Sequence, residues 1–323
     1  MKKETDYFNN SSMKNNEKEE DFERSKIKWN ENSAQLWFKY YLPPNKPSEN
    51  EINRYREIID SKIEENQISK PIFYILGSTP EFIKLALSYP DSRIFVFDNS
   101  EEYYRVVLKL NELENEKRIQ RENVSWQQNW ANIFLPPGLL RIGNKLFGEI
   151  YPPKADIILG DLVLGNLNWQ EEVKGLIQNL KFYSKKTTVI LMKNMFYIEN
   201  ISILDEYLNK YKDCKDYHPH IVFILPVCLW ASQQDFNKKI RVLNLGLMYQ
   251  KVQNLKVQNP LFIQFKEYIK NLGWKDNKET FNLPTMEQWE VLLEENNLKL
   301  VSNQYNYGDP YDQHIPIQVI SRV

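Results

Sequence analysis

Cysteine, histidine and glycine are all scarce in this chain of 323 residues, which contains 2, 3 and 10 of them. The two cysteines, Cys214 and Cys228, are too few for a disulfide framework, and no CxxC pair is present to bind zinc. This usage is typical of a reducing compartment, so we expect a cytoplasmic protein without a bound metal. The scarcity of glycine makes each glycine in a turn more informative.

Long hydrophobic runs and an excess of charge are absent as well. The most apolar stretch, residues 221–231, contains Pro226 and is too short to span a bilayer. The lysines near the amino terminus are not followed by an apolar segment, which argues against a signal peptide. The net charge of −1 gives no reason to expect binding to a phosphate backbone. We therefore expect no membrane segment and no nucleic-acid partner.

Composition divides the chain into a tail, a cap and a main domain. Residues 1–25 mix charged, Asn and Ser residues with few apolar ones, which predicts a disordered tail. Residues 26–70 predict an N-terminal helical cap of two helices separated by prolines. Residues 71–323 predict the main domain, with a helical insertion at about residues 200–272.

Two capping boxes mark predicted helix starts. Ser48 can cap the second helix, and Glu51 stands three residues further on. Thr285 and Gln288 repeat this pattern near the carboxyl end of the chain. A helix is therefore expected to begin after each of the two hydroxyl residues.

Continuous apolar runs, which are typical of strands buried on both faces, follow residue 71. Five predicted strands separated by helical segments argue for a parallel sheet with right-handed crossovers. These strands are Pro71–Leu76, Arg93–Phe97, the short Asn123–Trp126, Ala155–Leu159 and Thr187–Met192. Two more strands, Lys299–Tyr305 and Ile315–Ser321, are joined by a turn and are predicted to pair antiparallel. The sequence thus predicts an α/β fold with a doubly wound, mostly parallel, seven-stranded sheet.

Polar residues follow the first two strands, and ligands of an open parallel sheet bind beyond such carboxyl ends. Gly77 would let the backbone approach a ligand, and Pro80 would begin a helix whose free amides favour an anionic group. Asp98 closes the second strand 21 residues after Gly77, where a carboxylate can accept hydrogen bonds from two ribose hydroxyls. The alternative interpretations are a structural turn and a helix cap.

Two later strand ends carry further candidates. Asn129 can meet an adenine edge and Trp130 can cover the ring, or the pair can be a polar loop with a core tryptophan. Gly160 and Asp161 end the fourth strand, where an acid would face the reacting end of a cofactor or would cap a helix.

Missing phosphate-binding motifs narrow the choice of cofactor. No GxGxxG sequence is present, so the close packing over a dinucleotide pyrophosphate is not provided, and no GxxxxGK[ST] P-loop occurs. These absences disfavour a nicotinamide oxidoreductase. They favour a cofactor that contains ribose and adenine but no phosphate.

Four segments in order resemble the motifs of class I S-adenosylmethionine-dependent methyltransferases: Tyr74–Glu81, Ile94–Glu101, Gln128–Trp130 and Asp156–Asp161. The sequence is most similar to a bacterial branch whose first motif reads Gly-x-Thr-Pro-Glu, which corresponds here to Gly77-Ser-Thr-Pro-Glu81. The resemblance covers residues 71–193, and the end of the chain from Thr285 is similar to the end of that branch.

The resemblance implies S-adenosylmethionine as the cofactor and a Rossmann-like fold whose last strand lies antiparallel between the fifth and sixth strands. It implies that Gly77, Ser78 and Thr79 contact the methionine part of the cofactor. Asp98 would bind the ribose hydroxyls, with Asn99 beside it.

The same resemblance implies roles for the later motifs. Asn129 stands where the family often has Asp to contact the adenine amino group, with Trp130 next to it. Asp161, after Gly160, would lie near the amino end of the cofactor and the substrate. Glu81 closes the first motif and belongs to the expected cofactor-binding set.

The implied reaction is an in-line displacement that moves a methyl group to a small-molecule or peptide acceptor. Asp161 and His314 are candidate catalytic residues, although His314 can equally be a surface or core histidine. Tyr307 and Tyr311 are candidate substrate or lid residues.

Aromatic residues of the cap suggest a lid over the cofactor or acceptor. They are Trp37, Phe38, Tyr40 and Tyr41. The alternative is that these rings pack on the sheet.

A competing function is a catalytically silent, methyltransferase-like binding or assembly protein. The reduction of the first motif to a single glycine suggests this alternative.

Overall fold

The computed structural model describes residues 31–122, 141–142, 145–146, 153–167, 171–200, 202–235, 242–272, 274–276 and 280–323. Its strands are β1 Ile72–Leu76, β2 Arg93–Phe97, β3 Ile119–Glu122, β4 Arg141–Ile142, β5 Lys145–Leu146, β6 Ala155–Asp161, β7 Ser184–Lys193, β8 Val242–Asn244, β9 Thr280–Asn282, β10 Leu298–Gln304 and β11 Ile317–Arg322. Its α-helices are α1 Glu31–Tyr40, α2 Glu49–Glu65, α3 Pro80–Leu87, α4 Glu101–Leu110, α5 Glu171–Tyr183, α6 Ile203–Lys210, α7 Pro219–Asp235, α8 Leu245–Asn254, α9 Pro260–Asn271 and α10 Met286–Glu295. Short 3₁₀ helices span Leu164–Asn166 and Trp274–Asp276.

Seven strands form the central sheet in the order β10-β11-β7-β6-β1-β2-β3. The pairs among β3, β2, β1, β6 and β7 are parallel, while β11 is antiparallel to both β7 and β10. The predicted α/β fold with a mostly parallel seven-stranded sheet is confirmed. The last strand also has the position that the resemblance implied, between the fifth and sixth strands of the sheet in chain order.

The sheet is covered on both faces, which explains why its central strands are continuous apolar runs. On β1, Tyr74 and Leu76 belong to one core cluster, and Phe73 and Ile75 belong to another. The first cluster includes side chains of α5 and α10, and the second includes side chains of α2, α3 and α4. Each face of the sheet therefore packs on its own helical layer.

The described part of the third strand includes residues that the sequence analysis did not assign to a strand. The expected strand Asn123–Trp126 falls outside the described residues, and the strand that pairs with β2 is Ile119–Glu122. Its sequence, Ile-Gln-Arg-Glu, has no apolar run because it is an edge strand with no buried residue. Edge strands commonly carry charged side chains, so a search for apolar runs misses them.

Both predicted capping boxes are present. Ser48 accepts from the backbone N–H of Glu51, and the Glu51 side chain accepts from the backbone N–H of Ser48. Thr285 and Gln288 make the same pair of bonds at the start of α10. These reciprocal bonds satisfy amide groups that a helix terminus otherwise leaves without partners.

The described residues between 202 and 271 include the helices α6 to α9, which pack into a separate apolar cluster. The stretch around Pro226, whose sequence fitted either a strand or a buried helix, lies within α7. A two-stranded ribbon of β8 and β9 joins this region to the residues before α10. In the described part of the chain, no helix has the length and apolar character needed to cross a membrane.

Close packing around Gly160 leaves little room for a side chain at this position. A Cβ atom built at this position would lie 2.9 Å from Val163 Cγ2 and 3.4 Å from Leu76 Cδ1. The first of these distances is shorter than a normal carbon contact, so an alanine would force its neighbours apart. Its predicted contact with a cofactor stays a prediction.

Replacing Gly160 with alanine is expected to lower the free energy of unfolding by about 1–3 kcal/mol through overpacking. Gly175, within α5, provides a matched control. There the same substitution is expected to stabilise by about 0.5–1 kcal/mol, because alanine is the better helix former. Urea unfolding of both variants measures the two effects, and an unchanged Gly160→Ala would contradict the packing interpretation.

Candidate functional site

The strand order reverses between β1 and β6, which are neighbours in the sheet although β2 follows β1 in the chain. Such a switch point opens a crevice beyond the carboxyl ends of the strands. Gly77 and Ser78 follow β1 here, and Asp161 is the last residue of β6. The candidate site is therefore this edge of the sheet.

The turn after β1 depends on glycine. Gly77 has a φ of +92°, which side-chain-bearing residues rarely adopt, and its N–H donates to the carbonyl of Phe97 at 3.0 Å. Thr79 follows as the N-cap of α3, and Pro80 occupies the first turn of that helix. The backbone can thus bend sharply at the switch point without a side chain in the way.

Asp98 holds this turn in place. Its Oδ2 accepts from the backbone N–H of Ser78 at 3.0 Å and from the Ser78 hydroxyl at 2.5 Å, while Oδ1 accepts from the N–H of Ser100 at 2.9 Å. A carboxylate offers about four acceptor positions, so one remains for a ligand. Burial raises the pKa of Asp98, although these three hydrogen bonds oppose the rise. Its role on ribose hydroxyls stays a prediction.

The other predicted nucleoside contacts and the predicted lid residues of the cap lie beside Asp98, at α1, or outside the described residues. Asn99 is exposed next to Asp98. Asn129 and Trp130 lie outside the described residues. Trp37 is part of α1, which packs against α4, and Tyr41 follows the end of α1.

A buried ion cluster lies at the ends of β6 and β7. The Lys193 ammonium is fully buried, and its Nζ lies 3.1 Å from Asp161 Oδ1, 3.0 Å from Glu51 Oε2 and 2.9 Å from the carbonyl oxygen of Pro44. Glu51 also accepts from the Ser48 N–H at 2.7 Å. We call Glu51, Asp161 and Lys193 the ion cluster.

The ion cluster has two carboxylates for one ammonium. Burial raises the pKa of Glu51 to about 7, and the neighbouring Asp161 adds to the rise while Lys193 opposes it. Burial also raises the pKa of Asp161. Burial alone would lower the pKa of Lys193, but its two carboxylate partners outweigh burial and raise it. Lys193 therefore stays charged, and a proton held on Glu51 relieves the repulsion between the two carboxylates around it.

Of the two predicted lid residues near the carboxyl end of the chain, Tyr307 contacts this cluster and Tyr311 contacts Asp309. The Tyr307 hydroxyl lies 3.2 Å from Glu51 Oε1 and 2.8 Å from the Ile315 carbonyl oxygen. The Tyr311 hydroxyl donates to Asp309 Oδ2 at 3.2 Å, and the same oxygen accepts from the Ser48 hydroxyl at 2.5 Å. The residues before α2 and the loop before β11 thus close over the same edge of the sheet.

Two buried oxygens near Asp161 lack a hydrogen-bond partner within the described part of the chain. They are the Tyr55 hydroxyl and Glu81 Oε2, whereas Asp161 Oδ1 lies 3.1 Å from the Lys193 ammonium. Burial raises the pKa of Glu81 and of Tyr55, and the charge of Asp161 raises both further. The charge of Asp161 thus acts on both of the other groups.

His314 lies on another side of this region. Its ring is 6.0 Å from that of Tyr207 on α6, and its backbone N–H donates to the Tyr311 carbonyl. Burial lowers its pKa, which favours the neutral imidazole. Its catalytic role stays a prediction.

Sequence reasoning missed Lys193 and assigned Glu51 only a capping role. The available signal for Lys193 was a lysine directly after the apolar run Val189–Met192. A charged residue at the end of a buried strand predicts a buried partner, but the pattern does not say which residue that is.

A cation-rich groove of about 490 Å³ lies at the opposite edge, where β2 and β3 begin. Lys70, Arg93 and Lys117 are among its lining residues. Because ligands of parallel sheets bind at the carboxyl ends, this groove lies away from the candidate site. Across the described residues, no three or more His, Cys, Asp or Glu side chains are grouped to hold a metal ion.

Comparison with solved structures identifies the fold class, a doubly wound Rossmann-like domain. A protein from Rhodobacter sphaeroides, described as belonging to the Zn-dependent alcohol dehydrogenases, is 14% identical with a TM-score of 0.53, over 90% of this chain and 95% of that chain. At this identity the likeness shows the fold alone.

Two methyltransferase structures are also similar. The CcbJ methyltransferase from Streptomyces caelestis is 8% identical with a TM-score of 0.49, over 90% of this chain and 96% of its own. An S-adenosylmethionine-dependent methyltransferase from Clostridium acetobutylicum is 11% identical with a TM-score of 0.47, over 90% and 98%. Likeness of this degree defines neither a cofactor nor an activity. No protein-family model and no curated protein matches the sequence.

Replacing Lys193 with methionine is expected to lower the free energy of unfolding by about 3–5 kcal/mol, because two buried carboxylates lose their counter-charge. Lys185→Met on the same strand is the control. The Lys185 side chain is 39% exposed in its ion pair with Asp156, which also accepts from the Ile72 N–H, so a smaller loss than for Lys193→Met is expected. Equal losses in urea unfolding would contradict the special position of Lys193.

The raised pKa of Glu51 predicts a pH dependence of stability. The folded protein holds a proton on Glu51 up to about pH 7, while the unfolded chain releases it near the ordinary value of 4.5. Between these values the folded state binds more protons, so its stability falls as the pH rises, by about 3 kcal/mol for this group.

Glu51→Gln isolates this contribution, because glutamine keeps the capping acceptor but does not titrate. Its free energy of unfolding, measured from pH 4.5 to 8, is expected to fall less steeply than that of the unmodified protein. Identical slopes would show that Glu51 is ionised throughout.

Proposed function

We propose that the protein is an S-adenosylmethionine-dependent methyltransferase that acts on a small-molecule or peptide acceptor. The observation that carries the proposal is the position of β11, antiparallel between β7 and β10, beside five parallel strands. This is the strand arrangement implied by the methyltransferase-like motifs after β1, β2 and β6. The motifs and the topology are independent features of the chain, and they agree.

The residues at the switch point suit the cofactor. The bend at Gly77 leaves room for a close approach, and Asp98 retains one acceptor position for a ribose hydroxyl. Ser78 and Thr79 line the same turn. S-adenosylmethionine, when bound, supplies a methyl group already activated by its positive sulfur.

The task left to the protein is alignment. Holding an acceptor in line with a reactive group contributes about 7–11 kcal/mol in favourable cases. Asp161 ends β6 at the switch point and is our first candidate for a residue near the acceptor. His314 is the candidate base for a hydroxyl acceptor.

Residues 31–48 have the role of a cover in this proposal. Ala34 of α1 packs with Tyr103 and Val107 of α4, and Asn45 Nδ2 lies 3.2 Å from His220 Nε2. Asp98 is only 7% exposed. In this proposal the cover moves when a nucleoside binds there.

A silent binding or assembly protein is the second candidate function. The occupied acceptors of Asp98 and its low exposure favour it, because a site held closed by its own hydrogen bonds needs no ligand to be stable. Calorimetric titration with S-adenosylhomocysteine tests the proposal. Micromolar binding supports a methyltransferase, and no heat at millimolar ligand supports the silent protein.

Replacing Asp98 with alanine is expected to weaken S-adenosylhomocysteine binding by about tenfold or more, the usual effect of losing a charged acceptor. The loss of its bonds to the Ser78 and Ser100 amides is also expected to lower the free energy of unfolding by about 1–3 kcal/mol. Calorimetry and urea unfolding measure the two effects.

Ser78→Ala separates the two roles of Asp98. It removes one hydrogen bond from the carboxylate but leaves the carboxylate available, so its loss of affinity is expected to be smaller than that of Asp98→Ala. Normal binding by a folded Asp98→Ala variant would refute the ribose role.

A further inference from the structure

The cation-rich groove at the starts of β2 and β3 is a concave site separate from the carboxyl edge of the sheet. Its volume is about 490 Å³, and the described residues that line it include one acid, Asp91, and four cations. The cations are Lys70, Arg93, Lys117 and Arg118. The whole chain has 42 cationic and 43 acidic residues, so this local excess of positive charge does not follow from composition.

Three of these cations have no counter-charge. In the part of the chain that the structure describes, no ion pair and no side-chain hydrogen bond involves Lys70, Arg93 or Lys117. The neutral donors of the groove, by contrast, are satisfied within the chain, because Ser92 donates to a backbone carbonyl and Gln120 donates to a glutamate. The donors left for a ligand are therefore the charged ones.

Both guanidinium groups of the groove are held in place. Arg118 makes four hydrogen bonds, two with Glu116 at 3.1 and 3.2 Å and two with backbone carbonyl oxygens at 3.2 and 3.3 Å. A guanidinium has five N–H donors, so one remains for a ligand. Arg93 Cζ lies 5.3 Å from the centroid of the Phe95 ring. Guanidinium groups fixed in this way suit oxyanions, because their donors lose little freedom on binding.

The surroundings of the groove favour a compact anion over a long one. Exposed acids lie in the two segments that lead to Lys70 and Lys117, at the end of α2 and in the turn after α4. They are Glu64, Glu65, Glu112 and Glu114. A long polyanion would extend past the groove and meet these like charges, whereas a short one engages the cations alone.

We propose that the cation-rich groove binds a compact polyphosphate, either inorganic or the phosphate chain of a nucleotide. Phosphate oxygens accept charge-assisted hydrogen bonds from guanidinium and ammonium groups, and linked phosphates can engage several cations at once. The groove lies at the starts of the strands, opposite the candidate site, so this inference goes beyond the proposed function and does not depend on it.

Calorimetric titration of the full chain with tripolyphosphate, without added metal, tests the proposal. Micromolar binding that weakens as the salt concentration rises is expected, because the cations face solvent. A nucleoside triphosphate distinguishes the two sources of phosphate. Equal affinity indicates an inorganic ligand, and tighter binding that Lys117→Gln also weakens indicates a nucleotide.

Lys117→Gln and Lys299→Gln form a matched pair of variants. Lys117 precedes β3 at one end of the sheet, and Lys299 is an exposed lysine near the start of β10 at the other end. Lys117→Gln is expected to weaken tripolyphosphate binding by about tenfold, the usual effect of losing a charged donor. Lys299→Gln is expected to leave the affinity unchanged, and thermal unfolding confirms that both variants are folded.

The opposite effect is expected at Asp91. Its φ of +55° lies in the left-handed region, which asparagine also adopts, so Asp91→Asn removes the charge and keeps the turn. Tripolyphosphate binding is expected to tighten by about two- to fivefold, because one repulsive charge is lost. A folding defect cannot produce this gain.

Four results would overturn the proposal. They are the absence of heat with millimolar tripolyphosphate, equal losses of affinity in the two lysine variants, and an Asp91→Asn variant that binds no more tightly. The fourth is sulfate binding as tight as that of tripolyphosphate, which would show a general attraction of anions. A single-stranded oligonucleotide that binds more tightly than tripolyphosphate would replace the compact ligand with a nucleic acid.

Discussion

The buried ammonium of Lys193 is the constraint on which the carboxyl edge of the sheet depends. A charge removed from water is tolerated only when charged and polar partners surround it. Here the partners come from Asp161 on the adjacent strand, from Glu51 on α2 and from the carbonyl of Pro44. Because two of these three precede the sheet in the chain, the ion cluster fixes where the amino-terminal segment must lie.

The carboxyl edge of the sheet has two halves, which differ in whether their buried polar groups have hydrogen-bond partners. Beyond β7, Lys193 has all its partners, and Ser48 joins the segment before α2 to Asp309. Beyond β1, the oxygens of Tyr55 and Glu81 lack partners within the described chain. A polar group costs most when buried without a partner, so the half around β1 is where a ligand gains most. This agrees with the switch-point rule, which points to the same crevice from topology alone.

Sequence reasoning identified the architecture because burial leaves a strong local signal. The runs ending at Leu76, Phe97 and Met192 are apolar since both faces of those strands are covered, and each was located to within a few residues. The capping box at Ser48 was found because its two members are three residues apart. The strand Ile119–Glu122 was missed because this charged edge strand has no apolar run to detect, and the predicted Asn123–Trp126 lies outside the described residues.

The candidate site was only half predictable for a related reason. Asp98 and Asp161 follow strands directly, so their place at the sheet edge can be read from order alone. The partnership of Glu51 with Lys193 joins residues 142 positions apart, and no local spacing reports it. Glu51 has a complete local explanation as a capping residue, and that explanation conceals its second role.

Asp98 shows why position and availability must be judged separately. Its place after β2 is the one that the ribose interpretation requires, yet three of its acceptor positions are used within the chain. A ligand hydroxyl can use the remaining position at little cost, whereas a bidentate contact must displace the Ser78 hydroxyl. That hydroxyl can rotate towards the ligand, because serine both donates and accepts. The hydrogen bonds that hold the turn after β1 are therefore compatible with nucleoside binding, provided that the Ser78 hydroxyl exchanges Asp98 for the ligand as its partner.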